Sequence, residues 1–293
     1  PGAHPRARRA RLVLRLLAPA ALPAPLGVIL SLLGDVIQFF RRVPLAEFLF
    51  APEWTPLFAE PRYGIAPLLA GTFLVTAIAL FVAVPLGLAL AVYVSEYLPS
   101  DKRARVLGVL ELFEGIPTVV FGYFALLFVT PLLQKVIPGL SLFNPLSAGL
   151  VMGFAILPYV SNVAADAMQS VPRSIREAAY ALGARPYEVA LKVVLPAALS
   201  GVIAAIILAA SRAIGETMIV AIAAGQRPTL TLDPRETIAT MTSYIVQAAT
   251  GDQPTGSTAY YALFAVGFTL FLLTLALNVL AQYIVERYRE RYE

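Results

Sequence analysis

The sequence contains no cysteine and a single histidine, His4. The first absence excludes a disulfide framework, a thiolate metal site and a cysteine nucleophile. The histidine lies among arginines at the N-terminus, a solvated position that gives neither a metal centre nor a catalytic triad. Lysine is nearly as scarce: Lys102, Lys135 and Lys192 are followed by Arg103, Val136 and Val193. A phosphate-cradling P-loop needs Gly-Lys followed by Ser or Thr, so no such ATP site is expected in this chain. Charge of either sign is sparse, at 14% of residues, where soluble domains carry about a quarter. An ordinary soluble fold is thereby excluded. The net charge of +4 is modest and gives no reason to expect a nucleic-acid partner. There is no low-complexity tract, no short-period repeat and no soluble domain boundary.

What remains is apolar: 59% of residues are hydrophobic. Six runs are expected to cross a membrane as helices, each supplying the ~20 mostly apolar residues a crossing needs. They end at about Phe40, or run over Ile65–Tyr97, Val106–Leu133, Leu146–Met168, Pro196–Gly225 and Tyr260–Ile284. Helices are the expected solution because backbone polar groups cannot be left open in lipid. Pro19, Pro23 and Pro25 should delay or kink the first span, and Pro85 and Gly87 should kink the second. Residues 41–64, with Glu47, Trp54 and Tyr63, suit the membrane interface. Residues 1–64 are read as an arm, first helix and interfacial segment, and 65–293 as the main transmembrane domain. The polar segment Gln226–Thr258 reads as an outer loop with a short interfacial or re-entrant helix around Arg235–Ala249.

Lysine and arginine set the orientation. With the N-terminus inside, fifteen fall on the inner side: Arg6, Arg8, Arg9, Arg11, Arg15, Lys102, Arg103, Arg105, Arg173, Arg176, Arg185, Lys192, Arg287, Arg289 and Arg291. Six fall outside: Arg41, Arg42, Arg62, Lys135, Arg227 and Arg235. This asymmetry predicts both termini in the cytoplasm.

The segment Ser174–Pro196 is a polar hairpin between two apolar runs, placed by that count in the cytoplasm. Ser174 and Glu177 have capping-box spacing. Gly183 is placed to end a short helix in the left-handed conformation, and Pro186 to open a second helix at its first position. Glu177-Ala178-Ala179, Gly183, Val193 and Leu195-Pro196, at their spacing, resemble the EAA loop of ABC-transporter permeases of the import class, with valine where isoleucine is usual. The resemblance implies that the hairpin docks into a cleft on an ATP-binding subunit. An ordinary amphipathic connection is the alternative.

Two further stretches carry candidate chemistry. Arg212 and Glu216 are four residues apart, so they are expected on one helix face. Sixteen residues of helix would put Arg212 roughly 24 Å beyond Pro196, at or past mid-membrane. A charge there should face the bundle interior or a water-filled path. The two residues either form a packing ion pair or line an anion's path, with Glu216 moderating the attraction. Gly115 and Pro117 can break a helix before Thr118 and free backbone N–H groups suited to an oxyanion, or they only shape packing.

The stretches 115–122 (GIPTVVFG), 212–218 (RAIGETM) and 240–278, with EWTPL at 53–57 and the segment 71–97, resemble the PstC-type permease subunits of bacterial phosphate ABC importers. Met218-Ile219 stands where PstA-type partners have Ala-Pro, and Glu114 stands where a small residue is usual. The resemblance implies an all-α, polytopic membrane protein with six transmembrane helices of the ABC importer permease type, in the bacterial cytoplasmic (inner) membrane. It implies a second permease subunit of PstA type, two ATP-binding subunits of PstB type that hold ATP and magnesium, and a phosphate-binding protein outside. The chain itself would be no enzyme and carry no cofactor or metal. Arg212, Glu216, Thr217, Gly115, Pro117 and Thr118 would line the substrate path. Glu177, Ala178, Ala179, Gly183, Leu195 and Pro196 would couple to the ATP-binding subunit. Importers of molybdate or sulfate, or an ion-coupled secondary transporter with Glu216 as its coupling acid, are alternatives. A membrane enzyme is left with carboxylates and hydroxyls alone.

Overall fold

The computed structural model describes residues 23–288; the arginine-rich start, His4, Pro19, Arg289 and Arg291 lie outside them. Among the described residues the chain is helical, and the only strand-like pairing is an isolated bridge between Trp54 and Tyr63. α1 spans Pro23–Phe40 and the short α2 spans Leu45–Phe50. α3 (Ala66–Val92) runs unbroken through Pro85 and ends in a wide π turn, Tyr93–Tyr97. α4 (Ser100–Glu114) and α5 (Thr118–Phe124) follow, the latter continuing through a π turn, Ala125–Val129, into α6 (Thr130–Gln134). α7 is Pro145–Gln169, capped by the Asn144 side chain, which accepts from the Ser147 N–H. α8 (Arg173–Ala181) and α9 (Pro186–Glu188) make the hairpin; α9 passes through a π turn, Val189–Val194, into α10 (Leu195–Ala197). α11 (Leu199–Ile214), α12 (Met218–Ala223), α13 (Met241–Thr250) and α14 (Thr258–Tyr288) complete the chain.

Three helical stretches are long and apolar enough to cross a membrane: Ala66–Tyr97, Pro145–Gln169 and Thr258–Arg287. Two bent pairs raise this to five if each is one span, Asp101–Glu114 with Thr118–Gln134 at 77° and Pro186–Ala197 with Leu199–Ile214 at 73°. The described residues thus supply three to five crossings against the six expected; α1 is not among them. The third expected span is two helices because Gly115 closes α4 and Pro117 starts α5. The fifth is broken twice, at Ala198 and again at Gly215–Thr217.

Two of the π turns have a visible cause. A proline ring clashes with the carbonyl four residues back and offers no N–H. The turns Ala125–Val129 and Val189–Val194 each end just before a Thr130-Pro131 or Leu195-Pro196 pair. Widening the turn moves the offending carbonyl aside without ending the helix.

The central core joins Val75, Ala79 and Ala83 of α3 to Met152 and Ile156 of α7, with Ala209 of α11 and Ile219 of α12. Small residues let these backbones approach, as helix pairs in membranes require. A Cβ on Gly149 would lie 2.7 Å from the Ile78 side chain, and one on Gly153 2.8 Å from the Ala79 carbonyl. At the N-terminal end of α7 a second core gathers Phe39, Phe48, Trp54, Tyr63 and Tyr244. Trp54 meets Tyr244 edge-on at 4.9 Å between ring centroids. Trp54 and Tyr63, expected at the lipid interface, are instead buried in this protein core; each edge-to-face pair adds about 0.5–1.5 kcal/mol. The loop after α12 is extended rather than helical up to Thr240, since Ser141 N–H binds the Arg235 carbonyl and Ile238 N–H the Ala224 carbonyl. α13 therefore starts at Met241, later than the expected Arg235, where the Thr240 hydroxyl accepts from the Ser243 N–H.

Gly149→Val is expected to push α3 from α7 and destabilise the chain by about 1–3 kcal/mol, read as a lower melting temperature in detergent. Gly108→Ala, inside α4 with nothing within 4 Å of the added carbon, should not lower it, since alanine is the better helix former.

Candidate functional site

The hairpin is built as a surface feature. α8 has no buried residue. Ile175 and Ala179 touch the third core, around Ala91, Met168, Val189 and Val194. Glu177, Ala178, Gly183 and Pro196 are exposed, Ala179 and Leu195 half-buried, and Leu182 is 89% exposed. Gly183 has φ +83°, the left-handed conformation expected of it. Its N–H donates to the Tyr180 carbonyl and that of Ala184 to the Ala179 carbonyl, the paired bonds of a Schellman ending. Pro186 does open α9 at its first position, and the Glu188 carboxylate accepts from the Arg185 N–H at 3.1 Å. The Ser174–Glu177 capping box is absent. α8 begins at Arg173, behind Pro172, so Ser174 lies inside the first turn and cannot cap it.

Arg212 and Glu216 do not share a helix face. α11 ends at Ile214 with Gly215 as its cap, so the four-residue spacing crosses a break. The 73° bend at Ala198 also removes the straight-helix measure of Arg212's depth. The Glu216 carboxylate accepts from the N–H of Met218 at 3.2 Å and of Ile219 at 3.5 Å, capping α12. The Glu216 carbonyl accepts from the Thr242 hydroxyl at 2.7 Å, and Thr217 Oγ1 donates to the Gly215 carbonyl. Arg212 is exposed, and its guanidinium carbon stands 5.6 Å over the Tyr159 ring, within cation–π range.

The second candidate stretch has the same design. Gly115 ends α4 and Pro117 precedes Thr118, the first residue of α5. What brings the two stretches together is the packing of α5 on α12. A Cβ on Gly122 would meet Ile222 at 3.0 Å and the Met218 carbonyl at 3.1 Å. Two half-helices, each restarted after a glycine break, therefore lie side by side.

Sequence reasoning missed a pair of arginines at the hairpin end of the bundle. Arg176 donates to Glu96 through Nε and Nη2, both at 2.9 Å, and also to the carbonyls of Met168 and Val171. Arg103 donates to the carbonyls of Val94, Ser95 and Leu98 and to Gln169. The count of lysine and arginine alone places both on the inner side and gives neither a partner. The available signal was Glu96, an acid at the end of a long apolar run. A cavity of about 610 Å³ at the N-terminal end of α7, among Trp54, Phe58, Phe143, Arg227 and Tyr244, was also unforeseen. None of the expected path residues lines it. Among the described residues no group of His, Asp and Glu could hold a metal ion.

Residues 83–290 match the family of binding-protein-dependent transport system inner membrane components. The chain is 31% identical over 281 residues to the probable ABC transporter permease protein YqgH of Bacillus subtilis, covering 95% of this chain and 91% of that one. It is 32% identical over 263 residues to the phosphate transport system permease protein PstC of Xylella fastidiosa (82% and 79% covered), and 34% over 248 residues to PstC 1 of Mycobacterium tuberculosis (77% and 73%). Among solved structures, a bacterial alginate ABC transporter bound to its periplasmic protein superposes with a TM-score of 0.61 at 16% identity, covering 97% of this chain and 96% of that one. An inward-facing MetNI methionine ABC transporter superposes at 0.55 and 20%, covering 78% and 95%.

Gly183→Val forces a β-branched residue to positive φ, at a cost of about 1–3 kcal/mol. Trypsin should then cut faster within residues 173–192, whereas Gly183→Asn, a residue that visits this conformation, should be cut nearly as slowly as the parent.

Proposed function

This chain belongs to the binding-protein-dependent transport system inner membrane components, and from that premise we propose that it is one permease subunit of an ATP-driven importer of inorganic phosphate. The observation that carries the substrate is the set of relatives named as phosphate permeases, which align with most of the chain. The family supports a multi-pass protein of the inner membrane, and the asymmetry of lysine and arginine supports the hairpin and both termini on the cytoplasmic side. A second, PstA-type permease would complete the path. Two PstB-type subunits would bind and hydrolyse ATP with magnesium, and a phosphate-binding protein would deliver the ion from outside.

The exposed hairpin supports the coupling part of this reading. Glu177, Ala178, Leu182 and Gly183 are presented outward on a rigid, glycine-closed knob that an ATP-binding subunit could grip. Phosphate would pass the broken helices. Arg212 is a cation facing out of this chain at a helix end, where a partner permease could close the path around it. Gly115, Pro117 and Thr118 would shape the restart of α5 beside it. Glu216 and Thr217 would set the restart of α12 rather than neutralise Arg212.

The test is uptake of radiolabelled phosphate, molybdate and sulfate by vesicles holding the full complex. Phosphate uptake should dominate; preference for another oxyanion would replace the substrate and keep the permease. The YqgH relative, whose name gives no substrate, makes that comparison necessary. Arg212→Gln should cut uptake at least about tenfold, the rate equivalent of about 1.4 kcal/mol, with assembly intact. Arg212→Gln/Glu216→Gln should not recover it, because the two side chains are not paired. Normal uptake by Arg212→Gln would remove it from the path.

A further inference from the structure

We propose that the Glu96–Arg176 ion pair is the joint through which movement of the hairpin enters the membrane helices, a positioning role in coupling that rests on the permease reading above. The pair links three elements. Arg176 is on α8, Glu96 on the π turn that ends α3, and the other two acceptors of Arg176, the carbonyls of Met168 and Val171, are at the end of α7. Among the described residues Arg176 makes every side-chain hydrogen bond from α8 to the π turn after α3 or to α7.

The rest of the seat of α8 is apolar and shallow, through Ile175 and Ala179. Apolar contacts are non-directional, so a helix resting on them alone can slide or roll. A bidentate guanidinium–carboxylate pair has fixed geometry. It is also poorly solvated, with side-chain exposures of 17% for Arg176 and 7% for Glu96. Opening it would strand a charge away from water, so the joint holds while weaker contacts yield. The Ser95 hydroxyl donates to Glu96 at 2.7 Å, and Arg103 holds the Val94, Ser95 and Leu98 carbonyls around it. The acid is therefore mounted on a braced turn.

The two ends of the joint point to opposite tasks. Glu177, next in sequence to Arg176, is exposed on the outward face of α8. A force applied to the outward face passes through one helix turn to Arg176, and from there to the ends of α3 and α7. Those two helices pack through Gly149 and Gly153 with no space for slip, and α7 carries Tyr159, over which Arg212 stands. Hairpin and path are thus joined by rigid elements, with one side chain, Arg176, making the polar contacts at their start.

The experiment uses the full complex. The chain lacks cysteine, so once the other subunits are freed of theirs, spin labels at introduced cysteines report alone. Tyr180→Cys/Tyr283→Cys reports the hairpin against α14, and Phe81→Cys/Leu275→Cys reports α3 against α14; all four positions are exposed. In the parent, ATP should change both distances. With Glu96→Gln the hairpin pair should still respond and the α3 pair should not, and phosphate uptake per ATP hydrolysed should fall roughly tenfold. Arg176→Lys, which keeps the charge but not the fork, should fall between. If Glu96→Gln fails to assemble, Arg176→Lys decides by the same two distances. An α3 response as large in either variant as in the parent, or uptake and ATP hydrolysis falling together at a constant ratio, would overturn the joint. A parent whose two distances respond to ATP but which takes up no phosphate would remove the substrate and leave the joint standing. A parent that ignores ATP would remove both.

Discussion

A backbone that crosses an apolar medium must pair its own N–H and C=O groups, and every departure from a helix must supply partners for the groups it frees. At the Gly215–Thr217 break and at the start of α13 the described residues meet this demand with named side chains. Glu216 takes the N–H groups at the start of α12, and Thr242 reaches the Glu216 carbonyl from α13. Thr72 on α3 accepts the Met241 N–H while donating to its own Leu68 carbonyl. At the far end, Arg103 and Arg176 collect carbonyls of the π turn after α3 and at or just beyond the end of α7, where a cation also complements the negative end of the helix dipole. Where such partners are used, the position of the break is fixed by the surrounding helices as much as by local glycine and proline.

The same economy explains the distribution of side-chain size. Inside the bundle, alanine, glycine and valine dominate the contacts among α3, α7, α11 and α12. Outside it stand Phe81, Leu127, Phe128 and Leu272. In water that arrangement would be inverted; in lipid the outer face gains nothing from being polar, and close backbone contact supplies the cohesion. The bulky aromatics that are buried gather instead at one end, around Trp54, where α1 and α2 are tied to α13 and α14.

Much of this was legible in the sequence. The all-helical membrane class followed from sparse charge and long apolar runs, and Gly183 and Pro186 announced their turn and helix start. The capping box at Ser174 failed because the helix begins at Arg173, behind Pro172 at the cap position, which leaves Ser174 inside the first turn. Trp54 and Tyr63 misled because an aromatic belt and an aromatic core share a composition. Arg212 and Glu216 misled because the four-residue rule presumes an unbroken helix, while the Gly215 that breaks it lies between them. Glu96, Arg103 and Arg176 were invisible as a unit because their contacts span up to 80 positions, and no local pattern encodes a contact of that separation.

The break at Gly215 also changes how an anion path at Arg212 would work. A cation that attracts phosphate must also release it, and an ion pair with Glu216 would have supplied that balance at the expense of most of the attraction. The structure offers weaker partners. Arg212 lies in the last turn of α11, where helix carbonyls contribute about 0.3–1 kcal/mol toward a cation. The Tyr159 face contributes about 0.5–1 kcal/mol at an exposed site. Neither cancels the charge, and neither occupies the hydrogen-bond donors that an oxyanion needs. A guanidinium held this way remains free to bind, and the few contacts that hold it set its orientation at low cost. The helix break therefore leaves a positioned cation with no ion-pair partner among the described residues, where a continuous helix would have set Glu216 beside it.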